Sequence, residues 1–175
     1  HSARKIVPES VFRQASHNLV RTELFPKHFD YRKVLQTKNV DHIQLAKAAQ
    51  LMVIAPATAN ILGKIANGIA DDFLTTTVLA MTSPVILCPA MNVNMWSNPI
   101  VQANYQQLKK LGYLFIEPAV GNLACGDVGP GRLEDIKIIY QEIKRVLKTS
   151  TSLRGKRILV TAGGTIEPID SVRYI

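Results

Sequence analysis

Apolar residues along the chain arrive in two alternating rhythms, short unbroken runs and longer amphipathic stretches. Leu51-Met52-Val53-Ile54-Ala55 is continuously apolar, as strands covered on both faces of a parallel sheet are, and Pro56 is expected to end it. Val85 to Cys88 and Tyr113 to Ile116 repeat that pattern. Between these runs the spacing predicts helices starting near Thr58, around Phe73 to Met81, and over Pro99 to Leu111, the last closed by Gly112. Upstream, Pro8 suits the first turn of a helix through Ala15 and Leu19 to Leu24 reads as a short strand. Lys27 to Asn39 is polar and reads as irregular, and Asp41 offers an N-cap for a helix over His42 to Ala49 whose Ile43, Leu45 and Ala46 face a core. Downstream, a loop rich in Gly and Pro, Glu117 to Arg132, precedes an amphipathic helix over Glu134 to Lys148.

Strands alternating with helices predict an α/β fold, a flavodoxin-like or Rossmann-like three-layer sandwich with a mostly parallel sheet, because parallel neighbours need a crossover. Residues 1–150 form the first predicted domain. Thr149-Ser150-Thr151-Ser152 has linker composition, and Lys156 to Thr165 starts a new strand and glycine turn, so a boundary is placed near Thr151. Residues 151–175 are too few to close a second domain of ordinary size.

Composition narrows the chemistry. With 47% apolar residues the 175-residue chain can bury a full core. Its apolar runs are broken long before the roughly 18 residues a membrane helix needs, and its start lacks the apolar core of a signal peptide. Two cysteines, Cys88 in an apolar strand and Cys125 in a glycine-rich loop, make neither a disulfide framework nor a metal site, which points to the cytoplasm. The formal charge of +8 at pH 7 suits nucleic acid, an acidic membrane surface or a phosphorylated small molecule. The basic residues are dispersed and no aromatics interleave with them, so nucleic acid is disfavoured.

In an open parallel sheet, ligands sit outside the carboxyl ends of the strands, and three loops there carry candidate chemistry. Ala55-Pro56-Ala57-Thr58-Ala59-Asn60 combines small side chains, a hydroxyl, an amide and a helix start, which suits a phosphate or is simply a capped turn. Pro89 to Pro99 gathers Met91, Met95, Trp96 and three asparagines, as a pocket with an apolar wall and orienting amides requires, or as a packed loop does. Ala124 to Arg132 holds the Cys125 thiol among residues that let the backbone flex, as a lid does, although an isolated cysteine is also commonly inert. His42, at a helix start, is expected to stay neutral and to serve as a base, or to be a capping histidine.

Four segments in this order, His42-Ile43-Gln44-Leu45-Ala46-Lys47, Ala55 to Asn60, Pro89 to Trp96, and Ala124-Cys125-Gly126-Asp127, resemble the homo-oligomeric flavin-containing Cys decarboxylase family. Gly155 to Ile175 looks like the opening of a phosphopantothenate–cysteine ligase domain. The resemblance implies FMN-dependent decarboxylation of 4'-phosphopantothenoylcysteine to 4'-phosphopantetheine, next to a ligase that, when complete, uses CTP or another nucleotide with Mg2+. It implies His42 as catalytic, Asn92 as holding the substrate carboxylate, with Met95 beside it, and Cys125 as proton donor. Thr58, Asn60 and Met91 fall where family members line the FMN site. Family members also begin with a strand and a Gly-Gly turn that contribute to the flavin site, a segment without a counterpart before His1. A homo-oligomer built from trimers is implied as well.

The implied chemistry explains the residue types. A carboxylate next to a saturated carbon needs an electron sink before carbon dioxide can leave, and no side chain offers one. Oxidation of the cysteinyl thiol to a thioaldehyde puts the carboxylate β to a C=S group, so that its loss gives a stabilised enethiolate. A peptidyl-cysteine decarboxylase, which stops at the enethiol, and a non-enzymatic regulatory relative are the competing readings. Cys125 and the ligase-like tail oppose the first, and the joint presence of His42, Asn92 and Cys125 opposes the second.

Overall fold

The computed structural model describes residues 7–25, 30–37, 40–123, 126–148 and 159–161. The chain runs through α1 (Glu9–Ser16), α2 (Tyr31–Thr37), α3 (Asp41–Ala48), β1 (Met52–Ala57), α4 (Ala59–Ala66), α5 (Phe73–Leu79) and β2 (Val85–Pro89). It continues with α6 (Val93–Trp96), α7 (Pro99–Lys110), β3 (Leu114–Phe115), β4 (Ala119–Asn122), β5 (Val128–Arg132), α8 (Ile136–Lys148) and β6 (Leu159–Thr161). A four-stranded sheet has the order β3-β2-β1-β6 with every pairing parallel, and β4 and β5 form a separate antiparallel pair.

Successive side chains of a strand point to opposite faces, and this divides the core in two. Met52, Ile54 and Leu87 pack with Leu62, Ile65, Val78, Tyr105 and Leu108 from α4, α5 and α7 on one face. Leu51, Val53, Ile86 and Cys88 pack with Ile139 and Leu147 of α8 on the other. The result is the α/β three-layer sandwich expected from the pattern. β2 is buried at all five of its positions, as a central strand covered on both sides must be.

Several local expectations give way to tertiary structure. β1 runs through Pro56 to Ala57, across a cis Ala55–Pro56 peptide, and its register with β2 slips between Ile54 and Ala57. Proline lacks an N–H to offer the ladder, so the strand passes it where the pairing is irregular. Leu19 to Leu24 is not a strand: among the described residues no strand pairs with it, Leu19 is exposed, and Arg21 instead reaches Asp41 at 3.1 Å. Asp41 is the first residue of α3 rather than its cap; the cap position falls on Val40, whose side chain makes no capping bond, and the Asp41 carboxylate pairs with Arg21. The polar stretch 27–39 contains α2, started by Asp30, whose side chain accepts from the Arg32 N–H at 2.9 Å. The predicted loop Glu117 to Arg132 is largely the β4–β5 hairpin. β6, beyond the linker-like stretch, pairs with β1 through Met52↔Leu159, Val53↔Val160 and Ile54↔Thr161.

Candidate functional site

β1 and β2 are parallel neighbours, so the loops leaving their carboxyl ends lie side by side. The Ala90 N–H donates to the Ala57 carbonyl at 3.2 Å and ties the two exits together. Thr58, nearly buried, caps α4 by accepting from the Ile61 N–H at 3.4 Å. The first amides of a helix have no intrahelical acceptor, so those of Ala59 and Asn60 remain at the helix start beside small Ala57 and Ala59 side chains. That chemistry accepts a phosphate. Asn60 is exposed there, whereas Met91 on the adjoining exit is buried, its apolar side chain part of the core under the two exits.

Asn92 caps the single turn of α6: its Oδ1 accepts from the Asn94 N–H at 2.8 Å. The far end of that turn is anchored in the core. Trp96 meets Tyr105 edge-on at 5.3 Å, Tyr105 meets Phe115 at 4.6 Å, and Gln102 Nε2 donates to the Trp96 carbonyl at 2.6 Å. Met95, on the same turn, is exposed. An amide and an apolar surface are therefore held by a rigid aromatic support.

The hairpin closes over this turn by backbone contact. The Met91 N–H donates to the Gly131 carbonyl at 2.9 Å, and a Cβ on Gly131 would lie 2.2 Å from the Met91 carbonyl oxygen. A Cβ on Gly129 would lie 2.7 Å from a Val93 methyl. At the hairpin tip the Leu123 N–H donates to the Asp127 carbonyl at 2.8 Å, and Asn92 Nδ2 donates to Asp127 Oδ2 at 2.9 Å. Cys125 lies outside the described residues.

His42 is the second residue of α3, and its ring meets Phe73, the first residue of α5, edge-on at 6.4 Å. The start of α5 is fixed by a capping box in which Asp72 accepts from the Thr75 N–H at 2.8 Å. Lys64 of α4 adds bonds to Asp71 and Asp72 at 2.7 Å and 2.9 Å. Those two carboxylates raise the Lys64 pKa. Thus Thr58, Asn60, Met91, Asn92 and Met95 fall on two adjoining strand exits, and His42 stands on the α3–α5 packing. Cys88 is a core residue: it is fully buried, and burial pushes its thiol up to about 12. Asp127 is the site residue that sequence reasoning left without a role, although the alternating glycines at 129 and 131 hint that the 127–131 strand lies close against something.

The α4 start and the Met91 wall have the chemistry to hold the phosphate and an apolar part of a flavin mononucleotide. Among the described residues no cluster of His, Cys, Asp and Glu could hold a metal ion, and no helix is long and apolar enough to cross a membrane. Comparison with known proteins agrees with the flavin reading. The chain is 46% identical to the coenzyme A biosynthesis bifunctional protein CoaBC of Bacillus subtilis (strain 168), across 99% of this chain and 41% of that protein. It is 45% identical to the protein of the same name from Vibrio cholerae, across 78% of this chain and 34% of that one. The chain thus spans well under half the length of these relatives. A solved PPC decarboxylase, a Cys-to-Ser mutant complexed with pantothenoylaminoethenethiol, superposes with a TM-score of 0.65 at 34% identity, covering 74% of this chain and 71% of that one. The FMN-dependent cysteine decarboxylase SpaF gives 0.65 at 35% identity, covering 82% and 74%. A family described as DNA/pantothenate metabolism flavoprotein C-terminal domain matches residues 153–175. Residues 2–148 match the family described as Flavoprotein, and the chain belongs to that family.

Proposed function

We propose that this chain is the FMN-dependent part of an enzyme that decarboxylates 4'-phosphopantothenoylcysteine to 4'-phosphopantetheine in coenzyme A biosynthesis. The observation that carries the reading is the pinned Met91–Asn92 turn beside the α4 start, an amide and an apolar wall next to a phosphate-type helix end. FMN, when bound, supplies the two-electron oxidation of the substrate thiol and the return of those electrons after carbon dioxide has left. Thr58, Asn60 and Met91 hold the cofactor. Asn92 Nδ2 donates to the substrate carboxylate and orients the carbon–carbon bond to be broken, with Met95 against the substrate. His42 takes a proton from the substrate, and Cys125 gives one to the carbon that has lost the carboxylate.

The enethiol bound to a Cys-to-Ser mutant of a related decarboxylase supports a cysteine acting after carbon dioxide leaves. The test is release of carbon dioxide from 4'-phosphopantothenoylcysteine by the flavin-loaded full-length protein. Release coupled to phosphopantetheine formation is expected, and a colourless or inactive protein overturns the reading. Asn92→Asp is expected to keep flavin and lose turnover, because it replaces the donor by a carboxylate that repels both Asp127 and the carboxylate of the substrate.

A second reading is decarboxylation of a peptide ending in cysteine, which fits the similarity to SpaF, an FMN-dependent cysteine decarboxylase, equally well. The match of residues 153–175 to a pantothenate-metabolism flavoprotein C-terminal domain opposes it, and turnover of such a peptide in preference to the phosphorylated substrate would decide for it. Residues 1–150 then form the decarboxylase domain and 151–175 open the ligase, which when complete would use CTP or another nucleotide with Mg2+. The 175-residue piece alone is expected to make no phosphopantothenoylcysteine. The full protein is expected in the cytoplasm as a homo-oligomer built from trimers, which sedimentation would test.

A further inference from the structure

Side chains of β5 alternate between two faces, and the face turned towards the Met91–Val93 turn consists of Asp127, just before the strand, Gly129 and Gly131. Gly131 touches the Met91 backbone and Gly129 touches Val93, at separations that exclude a Cβ. Asp127 is thus the one member of this series that carries a side chain, and that side chain reaches Asn92 at 2.9 Å. The Asn92 amide is held from both ends. Its oxygen is committed to the Asn94 N–H, and its nitrogen is directed to the Asp127 carboxylate.

We infer that Asp127 is a positioning residue that fixes the rotation of the Asn92 amide and so sets its ability to recognise a carboxylate in the substrate. The inference rests on the proposed role of Asn92. A side-chain amide can turn about its last torsion and swap donor for acceptor. An acceptor placed against its nitrogen, opposite a donor placed against its oxygen, removes that freedom before substrate arrives. Carboxylate suits the task because it only accepts, and a charge-assisted bond is stronger than a neutral one. The two glycines serve the same end by letting the strand come close enough for a short side chain to reach.

The test uses two thiol-free ligands and the flavin-loaded full-length protein. Phosphopantothenoylserine keeps the carboxylate, and its decarboxylated counterpart, phosphopantothenoylethanolamine, lacks it. Binding of each is followed by calorimetry on protein whose flavin content has been checked. Asp127→Ala is expected to weaken the carboxylate ligand about tenfold while leaving the other within about twofold. Asp127→Asn, which can still present an acceptor, is expected to restore binding of the serine ligand to within about threefold of wild type. Should Asp127→Ala fail to hold flavin, Asp127→Ser, too short to reach Asn92, replaces it with the same expected loss.

An equal loss for both ligands would mark Asp127 as a purely structural turn residue and overturn the inference, as would no loss for either. Asn92→Ala separates the role of Asn92 from that of Asp127. If it abolishes the preference for the carboxylate ligand while Asp127→Ala keeps it, the role of Asn92 stands and that of Asp127 falls. If Asn92→Ala leaves the preference intact, both fall.

Discussion

The parallel sheet and the β4–β5 hairpin are both built of strands, yet they obey different chemistry. β1 and β2 are apolar, covered on both faces and joined by a regular ladder broken at one point near Pro56. The hairpin reads Ala-Val-Gly-Asn and Val-Gly-Pro-Gly-Arg, is half exposed, and holds its place through close backbone contact with Met91 and Val93. The first region supplies the free energy of folding and fixes where the strand exits lie. The second adds little buried apolar area and is used to set the orientation of a few polar groups. Stability and chemistry are thus carried by separable parts of this chain, and five substitutions probe that separation.

The largest effect is expected at His42, which belongs to neither region. Its ring meets Phe73 edge-on and contributes little packing. His42→Asn is expected to lower carbon dioxide release on the order of a thousandfold while leaving the thermal midpoint within about 1 °C. Turnover within a few-fold of wild type would remove His42 from the chemistry. Next is Leu87→Ala in the centre of β2, where the side chain is fully buried. A cost of about 3 kcal/mol in denaturant unfolding is expected, with turnover per folded, flavin-loaded molecule changed less than about twofold. A large loss of turnover in the folded fraction would break the separation.

Gly131→Ala reverses the pattern. The new methyl meets the Met91 backbone, which cannot step aside as a flexible side chain can. Turnover is expected to fall about tenfold as the Asn92 turn shifts, for a cost of about 2 kcal/mol or less. Gly121→Ala on the opposite strand meets only the Arg132 guanidinium at 3.8 Å and is expected to be nearly neutral in both assays.

The smallest measurable loss, Gly121→Ala aside, concerns the α5 cap. Burial opposes ionisation of Asp72, but bonds from the Thr75 N–H, Lys64 and the Thr75 hydroxyl outweigh it and hold the carboxyl below its usual 3.8. A depressed carboxylate pKa stabilises the fold above the unfolded value, and that contribution is lost as pH falls from 3.8 through the lower folded value. Asp72→Ala is therefore expected to cost about 1 kcal/mol at neutral pH. The charge-linked part of that difference should narrow below pH 3.8, as paired unfolding curves would show.

The sequence made the sheet region readable because burial on both faces leaves an unbroken apolar run, as at Leu51 to Ala55 and Val85 to Cys88. It hid the hairpin because glycine and proline, normally marks of irregular backbone, are here what close approach requires. α2 was concealed by its polar surroundings, and Leu19 to Leu24 looked like a strand because no sequence pattern reveals whether a partner exists. Thr58 as a cap and the adjacency of Thr58 and Met91 were readable from the rule that parallel strand exits line up. The pairing of Asn92 with Asp127 was not, since 35 positions separate them and only the folded hairpin brings them together.

The alternation along β5 also has a meaning for variation. A side chain at 129 or 131 would meet a neighbouring methyl or backbone at sub-van-der-Waals range, whereas Val128 and Arg132 face outward and are exposed. A saturation library over 127–132, sorted for activity, would therefore read as a comb, with teeth of intolerance at odd positions and freely mixed codons at 128 and 132. Each tooth would record a distance rather than a chemical preference, apart from the one at 127, where the sorting would retain an acceptor.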